Sequence, residues 1–405
     1  MQKKLLIIAA CMIAVVVIVG IVITDQNSEK NRQIEQVLQD DSEAETIVLV
    51  SLEEARKEAD AVIEAGRNGE YRNLQFNEIR PLITEKDRIY QIRVPGEDIQ
   101  VTEENLQKEL EAIQAFFEEP IDEKKIMVSM SSESLGYISV EQLREGIRNQ
   151  DEEYTSGFYS LFYENGKQVA QTNSSIWSLG INIGLESGIE DTLYKVYYPG
   201  ALDGSLQDVY ETASGEMSVE EAIRQVENYF NHEFPVPILR EMEYRVARID
   251  ILKMSDGTYG FEAELRRSYG GVLYQGDARS QDGTGDEVFD LTDAILDGEN
   301  HVPYFWGLSC NDHVEEIQEI TEIISLERAA EYISQKIGDN TVYTVEEIEL
   351  SYVGKSVEEE GEDYSVLVEE MWPAWLFITV NNTNGKEVRF YVDAVTGEVS
   401  KRTMD

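Results

Sequence analysis

Ser51-Leu52-Glu53-Glu54-Ala55 begins a pattern that recurs twice later in this 405-residue chain. A serine followed three residues later by glutamate is a capping box, which satisfies free backbone N–H groups at the start of a helix. Ser218-Val219-Glu220-Glu221-Ala222 repeats the box, and Ser325-Leu326-Glu327-Arg328-Ala329 keeps the serine but has arginine in place of glutamate. Each of the three serines therefore predicts the start of a helix.

The residues after each predicted start place apolar side chains at helical spacing, and apolar residues then alternate with polar ones, as in strands. Asn165-Gly166 and Asn384-Gly385 are typical of tight hairpin turns between such strands. The predicted strands include Ile89–Val94, Phe158–Tyr163, Leu193–Tyr198, Tyr259–Leu265, Thr344–Val353, Tyr364–Glu370, Ala374–Val380 and Glu387–Val392. The predicted class is α+β, with a recurring unit of a capped helix laid against an antiparallel sheet.

An uncharged apolar run, Leu5–Ile23, precedes all of these elements. A helix of that length rises about 30 Å, which matches the hydrocarbon core of a bilayer. Lys3 and Lys4 are the cations nearest to it, so the positive-inside rule places the N-terminus in the cytoplasm. We expect a single-pass membrane protein whose C-terminal domains are extracytoplasmic.

Two other interpretations of this run are open. Ile8-Ala9-Ala10-Cys11 resembles a bacterial lipobox, in which Cys11 would be lipidated, but the apolar run continues past the cysteine to Ile23. A cleaved signal peptide needs small residues after its apolar core, and Val22–Asp25 fits that requirement poorly. An uncleaved anchor is therefore the favoured interpretation.

Composition shifts divide the chain into five predicted segments. A cytoplasmic stub and transmembrane anchor occupy residues 1–24, and a polar linker or helical stalk follows at 25–45. The predicted folded regions are an N-terminal α+β domain at 46–214, a middle unit at 215–320 and a C-terminal unit at 321–405. Each folded region contains one of the three serine-started helices.

Acidic residues greatly outnumber basic ones. The chain has 80 Asp and Glu residues against 34 Lys and Arg, giving a formal net charge of −46. Such a surface repels nucleic acid, so we expect a protein or peptide partner with a basic face. Of the two cysteines, Cys11 lies within the predicted anchor and Cys310 far from it, so no intrachain disulfide framework is predicted.

The C-terminal unit ends in Ile378–Arg402, ITVNNTNGKEVRFYVDAVTGEVSKR. Its centre, Tyr391–Val399, carries a strand into a turn at which Asp393 can accept backbone hydrogen bonds and Gly397 can adopt a positive φ. Ser325–Asp405 resembles a PepSY-type domain, and Ser218–Leu273 resembles a more divergent copy. The resemblance implies a helix-plus-sheet module that regulates peptidases or sensory proteins at the bacterial cell envelope, as in Gram-positive bacteria, and it brings no catalytic residue.

Motifs with known chemistry are missing, and we predict no catalytic residue and no cofactor. His301, Cys310 and His313 are close in sequence and could supply zinc ligands or a thiol with a base, although their spacing matches no standard site. Asp282, Asp286 and Asp290, together with Asp277, lie in a glycine-containing loop and are weak candidates for Ca²⁺ ligands. An aromatic-rich loop capped by a polar turn explains the first group equally well, and a solvated acidic loop is the favoured interpretation of the second.

Two functions follow from these patterns. The favoured hypothesis is a membrane-tethered, non-enzymatic binding and regulatory protein that acts on a peptidase, a peptide or a sensor protein. The alternative is an exported hydrolase that uses paired carboxylates or the His301, Cys310 and His313 group. No residue pattern indicates an oligomeric state.

Protease treatment of intact cells tests the predicted topology. Because Lys3 and Lys4 precede Leu5–Ile23, an external protease should degrade the folded region, and the full-length protein should be extracted only with detergent. Immunoblotting against the C-terminal unit measures both outcomes. Protection of that unit in intact cells, but not in lysed cells, would reverse the orientation.

Overall fold

Strands predominate over helices in this fold. The computed structural model describes residues 47–94, 101–131, 135–155, 159–166, 168–173, 178–183, 189–202, 204–236, 241–277, 292–297, 302, 304–309, 313–338, 341–360 and 365–403. The helices are α1 (Leu52–Arg67), α2 (Glu103–Gln114), α3 (Val140–Arg148), α4 (Glu152–Thr155), α5 (Val219–Asn228) and α6 (Leu326–Lys336), and a π-helical segment (Tyr229–Glu233) follows α5. This mixture confirms the predicted α+β class.

The strands are β1 (Leu49–Ser51), β2 (Leu74–Phe76), β3 (Ile89–Val94), β4 (Met127–Met130), β5 (Tyr137–Ser139), β6 (Tyr159–Asn165), β7 (Gln168–Asn173), β8 (Ser178–Ile183), β9 (Ile189–Tyr197), β10 (Val209–Thr212), β11 (Gly215–Ser218), β12 (Glu243–Met254), β13 (Tyr259–Tyr269), β14 (Val272–Asp277), β15 (Thr292–Leu296), β16 (Tyr304–Ser309), β17 (Glu315–Ile320), β18 (Glu322–Ile324), β19 (Tyr343–Glu360), β20 (Ser365–Asn381), β21 (Glu387–Asp393) and β22 (Val399–Thr403). Within the described ranges, no helix has both the length and the apolar character needed to cross a membrane. The predicted anchor Leu5–Ile23, with Cys11, and the linker at 25–45 lie outside the described residues.

Four helices begin at a serine that ends or directly follows a short strand. The four serines accept a hydrogen bond at Oγ from the backbone N–H three residues later, each at 3.2 Å: Ser51, Ser139, Ser218 and Ser325. Three of these starts are the predicted ones and are confirmed. The start at Ser139 was not predicted as part of the recurring pattern, because glutamine replaces glutamate three residues later.

The capping boxes differ in how complete they are. At Ser51 the serine N–H also donates to Glu54 Oε2 at 3.0 Å, and at Ser139 it donates to Gln142 Oε1 at 2.9 Å. The full box predicted at Ser218 is wrong, because the Glu221 carboxylate binds Arg224 and Gln225 on its own helix instead. The serine half of the box alone is enough to start α5.

One antiparallel sheet forms the first half of the fold. Its strand order is β5-β4-β6-β7-β8-β16-β15-β13-β12-β9. The hairpin predicted at Asn165-Gly166 joins β6 to β7 and is confirmed. Helices α2, α3 and α5 cover one face of this sheet, and the buried core between them includes Leu110, Leu143, Val226, Leu161, Ile249 and Phe261.

A second sheet is built around the long β19–β20 hairpin and is continuous with the first through β14, which pairs with β13 and with β19. On its outer side β19 pairs in parallel with β2 and β14, and β20 pairs with β21 and β3. Strand β22 extends the sheet beyond β21, and β17 extends it beyond β3. Helices α1 and α6 cover one face, with Val62, Ile333, Phe377 and Phe390 among the buried residues.

Strand β20 runs through a proline where the sequence predicts a break between two strands. Pro373 lies opposite Tyr352, between the end of the β3 pairing at Met371 and the start of the β21 pairing at Ala374. Proline has no N–H to donate. At Pro373, β20 has left its pairing with β3 and has not yet begun its pairing with β21, so no neighbouring strand requires that N–H. The separate strands predicted at Tyr364–Glu370 and Ala374–Val380 are therefore one continuous strand.

Strands from the beginning of the folded region pair with strands from its end. Strand β1 pairs antiparallel with β18, so that α1 and α6 both start at this two-stranded ribbon. Strands β2 and β3, from the predicted 46–214 domain, pair with β19 and β20 of the predicted 321–405 unit. Residues Val48–Asp405 form one compact unit.

The turn after β21 seats the end of the chain against α6. Asp393 Oδ1 accepts hydrogen bonds from the N–H groups of Val395 and Thr396 at 2.9 and 2.8 Å. Gly397 has φ of +74°, and a Cβ added there would lie 2.7 Å from Tyr332 Cε2. Both the backbone conformation and the close approach of α6 therefore require glycine at this position.

Alanine substitutions at Gly385 and Gly397 separate the free-energy cost of backbone strain from that of a steric clash. Gly385→Ala has a φ of +73° to adopt but open space around the new Cβ, so it should cost about 1–2 kcal/mol of unfolding free energy. Gly397→Ala adds a clash with Tyr332 and should cost about 1–3 kcal/mol more. Chemical denaturation measures both changes. Equal losses would show that the contact with α6 does not constrain the turn.

Candidate functional site

The strands between the two helix-covered cores each have one apolar and one charged face. In β13, Phe261, Ala263 and Leu265 enter the first core, and the residues between them point to the opposite side. In β19, Ile348 and Leu350 enter the second core. The charged faces of the two sheets consequently meet each other rather than water.

Eight ionisable side chains meet there, and we refer to them as the inter-sheet charged cluster. They are Arg248 and Asp250 on β12, Glu264 and Arg266 on β13, Glu347 and Glu349 on β19, and Glu387 and Arg389 on β21. Glu347 and Glu349 are each 1% exposed and Arg266 is 2% exposed. Buried groups of this kind are stable only when they are paired or neutral.

Arg266 joins the two sheets. Its Nη2 donates to Glu264 Oε1 on the same strand at 2.8 Å, and its Nη1 donates to Glu349 Oε1 on the second sheet at 3.3 Å. Ser351 Oγ donates to that same Glu349 oxygen at 2.7 Å. One guanidinium therefore contacts a carboxylate on each side of the boundary.

The remaining arginines pair at the edges of the cluster. Arg248 Nε lies 3.4 Å from Glu264 Oε2, and Arg389 Nε donates to Glu387 Oε1 at 2.8 Å. Burial alone would raise the pKa of Glu264, but the positive charges of Arg266, Arg389 and Arg248 outweigh it and hold that pKa below its ordinary value. Glu264 is thus ionised.

Glu347 differs from every other carboxyl in the cluster. Neither of its oxygens has a hydrogen-bond partner among the described residues. Gly200 covers it, because a Cβ at that position would lie 3.8 Å from Glu347 Oε1. Burial, followed by the negative charge of Glu349, raises the pKa of Glu347 well above its ordinary value.

A second buried carboxyl lies in the core of the first sheet. Glu109 on α2 is 1% exposed, and its Oε2 accepts a hydrogen bond from Thr172 Oγ on β7. Burial raises the pKa of Glu109 to about 7, although hydrogen bonds from Thr172 and Tyr159 oppose the shift. This carboxyl is separate from the inter-sheet charged cluster and titrates near neutral pH.

The site residues predicted from sequence fall mostly outside the described part of the chain. Asp282, Asp286, Asp290, His301 and Cys310 all lie outside it. The side chain of Asp277 is likewise not described. Within the described ranges, no three His, Cys, Asp or Glu side chains are arranged to hold a metal ion.

The remaining predicted residues have structural contacts. His313 Nδ1 lies 3.3 Å from Glu241 Oε2, which also accepts the Val314 N–H at 2.7 Å. Asp393 and Gly397 form the turn against α6 described above. The inter-sheet charged cluster was not predicted from the sequence, although β13 contains charged residues that alternate with apolar ones.

Neutral substitutions at two arginines test the role of the cluster. Arg266→Met leaves Glu264 and Glu349 buried with less positive charge, and we expect a loss of about 3–5 kcal/mol of unfolding free energy. Arg245, its cross-strand neighbour in β12, is 48% exposed, so Arg245→Met should change stability by about 0–1 kcal/mol. Urea denaturation of both variants measures the difference. A similar small change in both would mean that Arg266 is not needed to balance the buried carboxylates.

Comparison with known proteins adds two distant structural similarities. No family model matches the sequence, and a search of curated proteins found no match. A crystal structure of an uncharacterized protein from Eubacterium rectale ATCC 33656 is 12% identical, with a TM-score of 0.43, over 84% of this chain and 98% of its own. The Bacillus megaterium YpeB C-terminal domain is also 12% identical, with a TM-score of 0.32, over 76% of this chain and 99% of its own. At these TM-scores neither similarity establishes a family.

Proposed function

We propose that this chain is a membrane-tethered, extracytoplasmic binding and regulatory protein whose partner has a basic face. The partner is a peptidase, a peptide or a sensor protein at the cell envelope, in keeping with the PepSY-like pattern of the C-terminal unit. Leu5–Ile23 is the proposed tether, with the N-terminus in the cytoplasm. The observation that carries the proposal is the location of the excess negative charge.

Among the described residues, the core holds almost none of the excess negative charge. The buried acidic and basic side chains there are five carboxyls and four guanidiniums: Glu109, Asp250, Glu264, Glu347, Glu349, Arg266, Arg267, Arg389 and Arg402. These nearly cancel, so almost all of the formal net charge of −46 belongs to residues outside this buried set. An acidic surface steers basic partners toward it and repels acidic ones.

The closed cluster supports binding rather than catalysis. A catalytic pair of carboxylates must reach its substrate. In the inter-sheet charged cluster, Glu264, Glu347 and Glu349 are buried between two sheets and have no exposed face for a ligand. These residues therefore act within the fold.

Strand β17 is the proposed contact surface. It pairs with β3 on one side, and the described residues provide no strand on its other side. Its first five residues are exposed, among them Glu315, Glu316 and Glu319. An extended peptide can add to such an edge through backbone hydrogen bonds, with lysine or arginine side chains beside the glutamates.

The same charges disfavour pairing between two copies of this edge. A bulge between Glu316 and Gln318 also interrupts the ladder, and Ile317 at the bulge is 55% exposed. Bulges and charges on edge strands prevent association with another identical edge. A strand with basic side chains is not repelled by these glutamates. Strand β17 therefore favours a basic peptide over a second copy of itself.

Binding of a synthetic peptide with alternating lysine and valine tests this proposal. Association with the residues 46–405 region should weaken markedly from low salt to physiological salt, where screening reduces the Debye length to about 8 Å. Glu315→Gln, Glu316→Gln and Glu319→Gln together should weaken binding about tenfold. Fluorescence anisotropy at both salt concentrations measures these affinities.

A charge-matched control separates the local edge from the overall charge. Glu53→Gln, Asp60→Asn and Glu64→Gln remove the same charge from exposed positions of α1, and they should leave the affinity within about twofold. Equal weakening by both triple variants would refute β17 as the contact surface. Tight binding of the corresponding glutamate–valine peptide would refute the basic-partner proposal.

The same assay distinguishes binding from hydrolysis. His301, Cys310 and His313 replaced together by alanine should leave peptide affinity intact, because the proposed contact does not use them. A folded triple variant that lost a hydrolytic activity present in the parent would replace the binding proposal with the hydrolase alternative.

A further inference from the structure

The inter-sheet charged cluster contains more acidic than basic groups. Its five carboxyls are Asp250, Glu264, Glu347, Glu349 and Glu387, and its three guanidiniums are Arg248, Arg266 and Arg389. If every group were ionised, two negative charges would remain, and Arg402, which is buried opposite Arg389 on β22, would offset one of them. Such an excess is unfavourable unless a proton or a cation compensates for it.

The guanidiniums are already engaged with other carboxyls. Arg266 contacts Glu264 and Glu349, Arg248 contacts Glu264 and Asp250, and Arg389 contacts Glu387. Glu347 is as fully buried as Glu349, at 1% exposure, but neither of its oxygens receives a hydrogen bond from the described residues. It is therefore the group at which the missing positive charge is needed.

We propose that Glu347 is a proton-binding site, whose carboxyl takes up one proton from water when the two sheets pack together and releases it when they separate. One O–H bond forms on the carboxyl as one O–H bond of a solvent hydronium ion breaks, and no other bond changes. The packing of the sheets, and with it the shape of any surface that spans them, then depends on pH.

The surroundings of Glu347 determine how strongly it holds the proton. Tyr198 and Gly200 approach from the segment after β9. The charged groups that act on it are Glu349 on its own strand, Glu264 and Arg266 on β13, and Arg389 on β21. The two carboxylates favour the neutral form and the two guanidiniums oppose it, but burial is the largest influence and favours the neutral form.

The sign of the pH effect follows from linkage. The pKa of Glu347 is higher in the folded state than in the unfolded chain, where it is about 4.3. Below both values the two states hold the proton equally, and stability is at its maximum. Between them the unfolded state loses the proton first, so the unfolding equilibrium constant rises up to tenfold per pH unit as pH increases. Above the pKa of Glu347 in the folded state, stability no longer falls as pH rises.

Stability measurements across pH test this in a background that lacks Glu109, the buried carboxyl outside the cluster whose pKa is raised to about 7. Glu109→Gln eliminates the group that titrates near neutral pH. In that background, the unfolding equilibrium constant measured in urea should increase as pH rises, by up to about tenfold per pH unit. Adding Glu347→Gln should abolish that part of the slope, because a neutral amide of the same shape has no proton to lose.

A neighbouring glutamate provides the matched control. Glu346 precedes Glu347 on β19, is only partly buried, and accepts a hydrogen bond from Asn77 Nδ2 at 2.6 Å. Glu346→Gln in the same background should keep the pH slope. An unchanged slope in the Glu347→Gln variant would overturn the proposal.

Infrared spectroscopy tests the proton directly and does not require the Glu347→Gln variant to fold. In the Glu109→Gln protein, the carbonyl band of a protonated carboxylic acid should persist to a higher pH in the folded state than in the unfolded chain. Loss of the band at the same pH in both states would overturn the proposal. That result together with stabilisation by added Na⁺ or Mg²⁺ at fixed pH would show that a cation compensates the cluster instead.

Discussion

The contact between Arg266 and Glu349 links two sheets that are also joined by backbone pairing through β14. Each partner belongs to a different sheet, and both are removed from water. Desolvation of two charges opposes the attraction between them, so a buried pair is weak evidence for net stability. Its effect is greatest on specificity, because any other arrangement of the sheets leaves one of the two charges buried and unpaired. The pair therefore favours the packing in which Arg266 and Glu349 meet.

The four serine-started helices are distributed evenly over this arrangement. Helices α3 and α5 pack on the first sheet, and α1 and α6 pack on the second. Strand β1 pairs with β18, so the first and last of the four units in sequence are neighbours in space. The folded region therefore begins and ends at neighbouring elements, and the helices α3 and α5 come between them in sequence. Contacts that close the fold join residues far apart in sequence, and this arrangement slows folding relative to a series of independent units.

Local chemistry was sufficient to predict the helix starts at Ser51, Ser218 and Ser325 and the hairpin at Asn384-Gly385, because each is decided within a few residues. The continuity of β20 was not predicted, since Pro373 is tolerated only because its neighbours change at that point. The inter-sheet charged cluster was missed for a related reason. Alternation in β13 shows that one face is charged, but it does not indicate what covers that face. Arg266 and Glu349 are separated by 83 residues, and no local pattern connects them.

Acidic surface and buried charges impose opposite requirements on this protein. Mutual repulsion among the surface carboxylates destabilises the compact state, and salt or a bound cationic partner reduces it. A basic partner that binds only the folded chain also stabilises it by mass action. The interior cannot respond in this way, because its groups are closed to ions and must be balanced by arginine or by protons. Binding at an acidic edge such as β17 and packing of the sheets through Arg266 are consequently linked through the folding equilibrium, even though the two regions share no ligand.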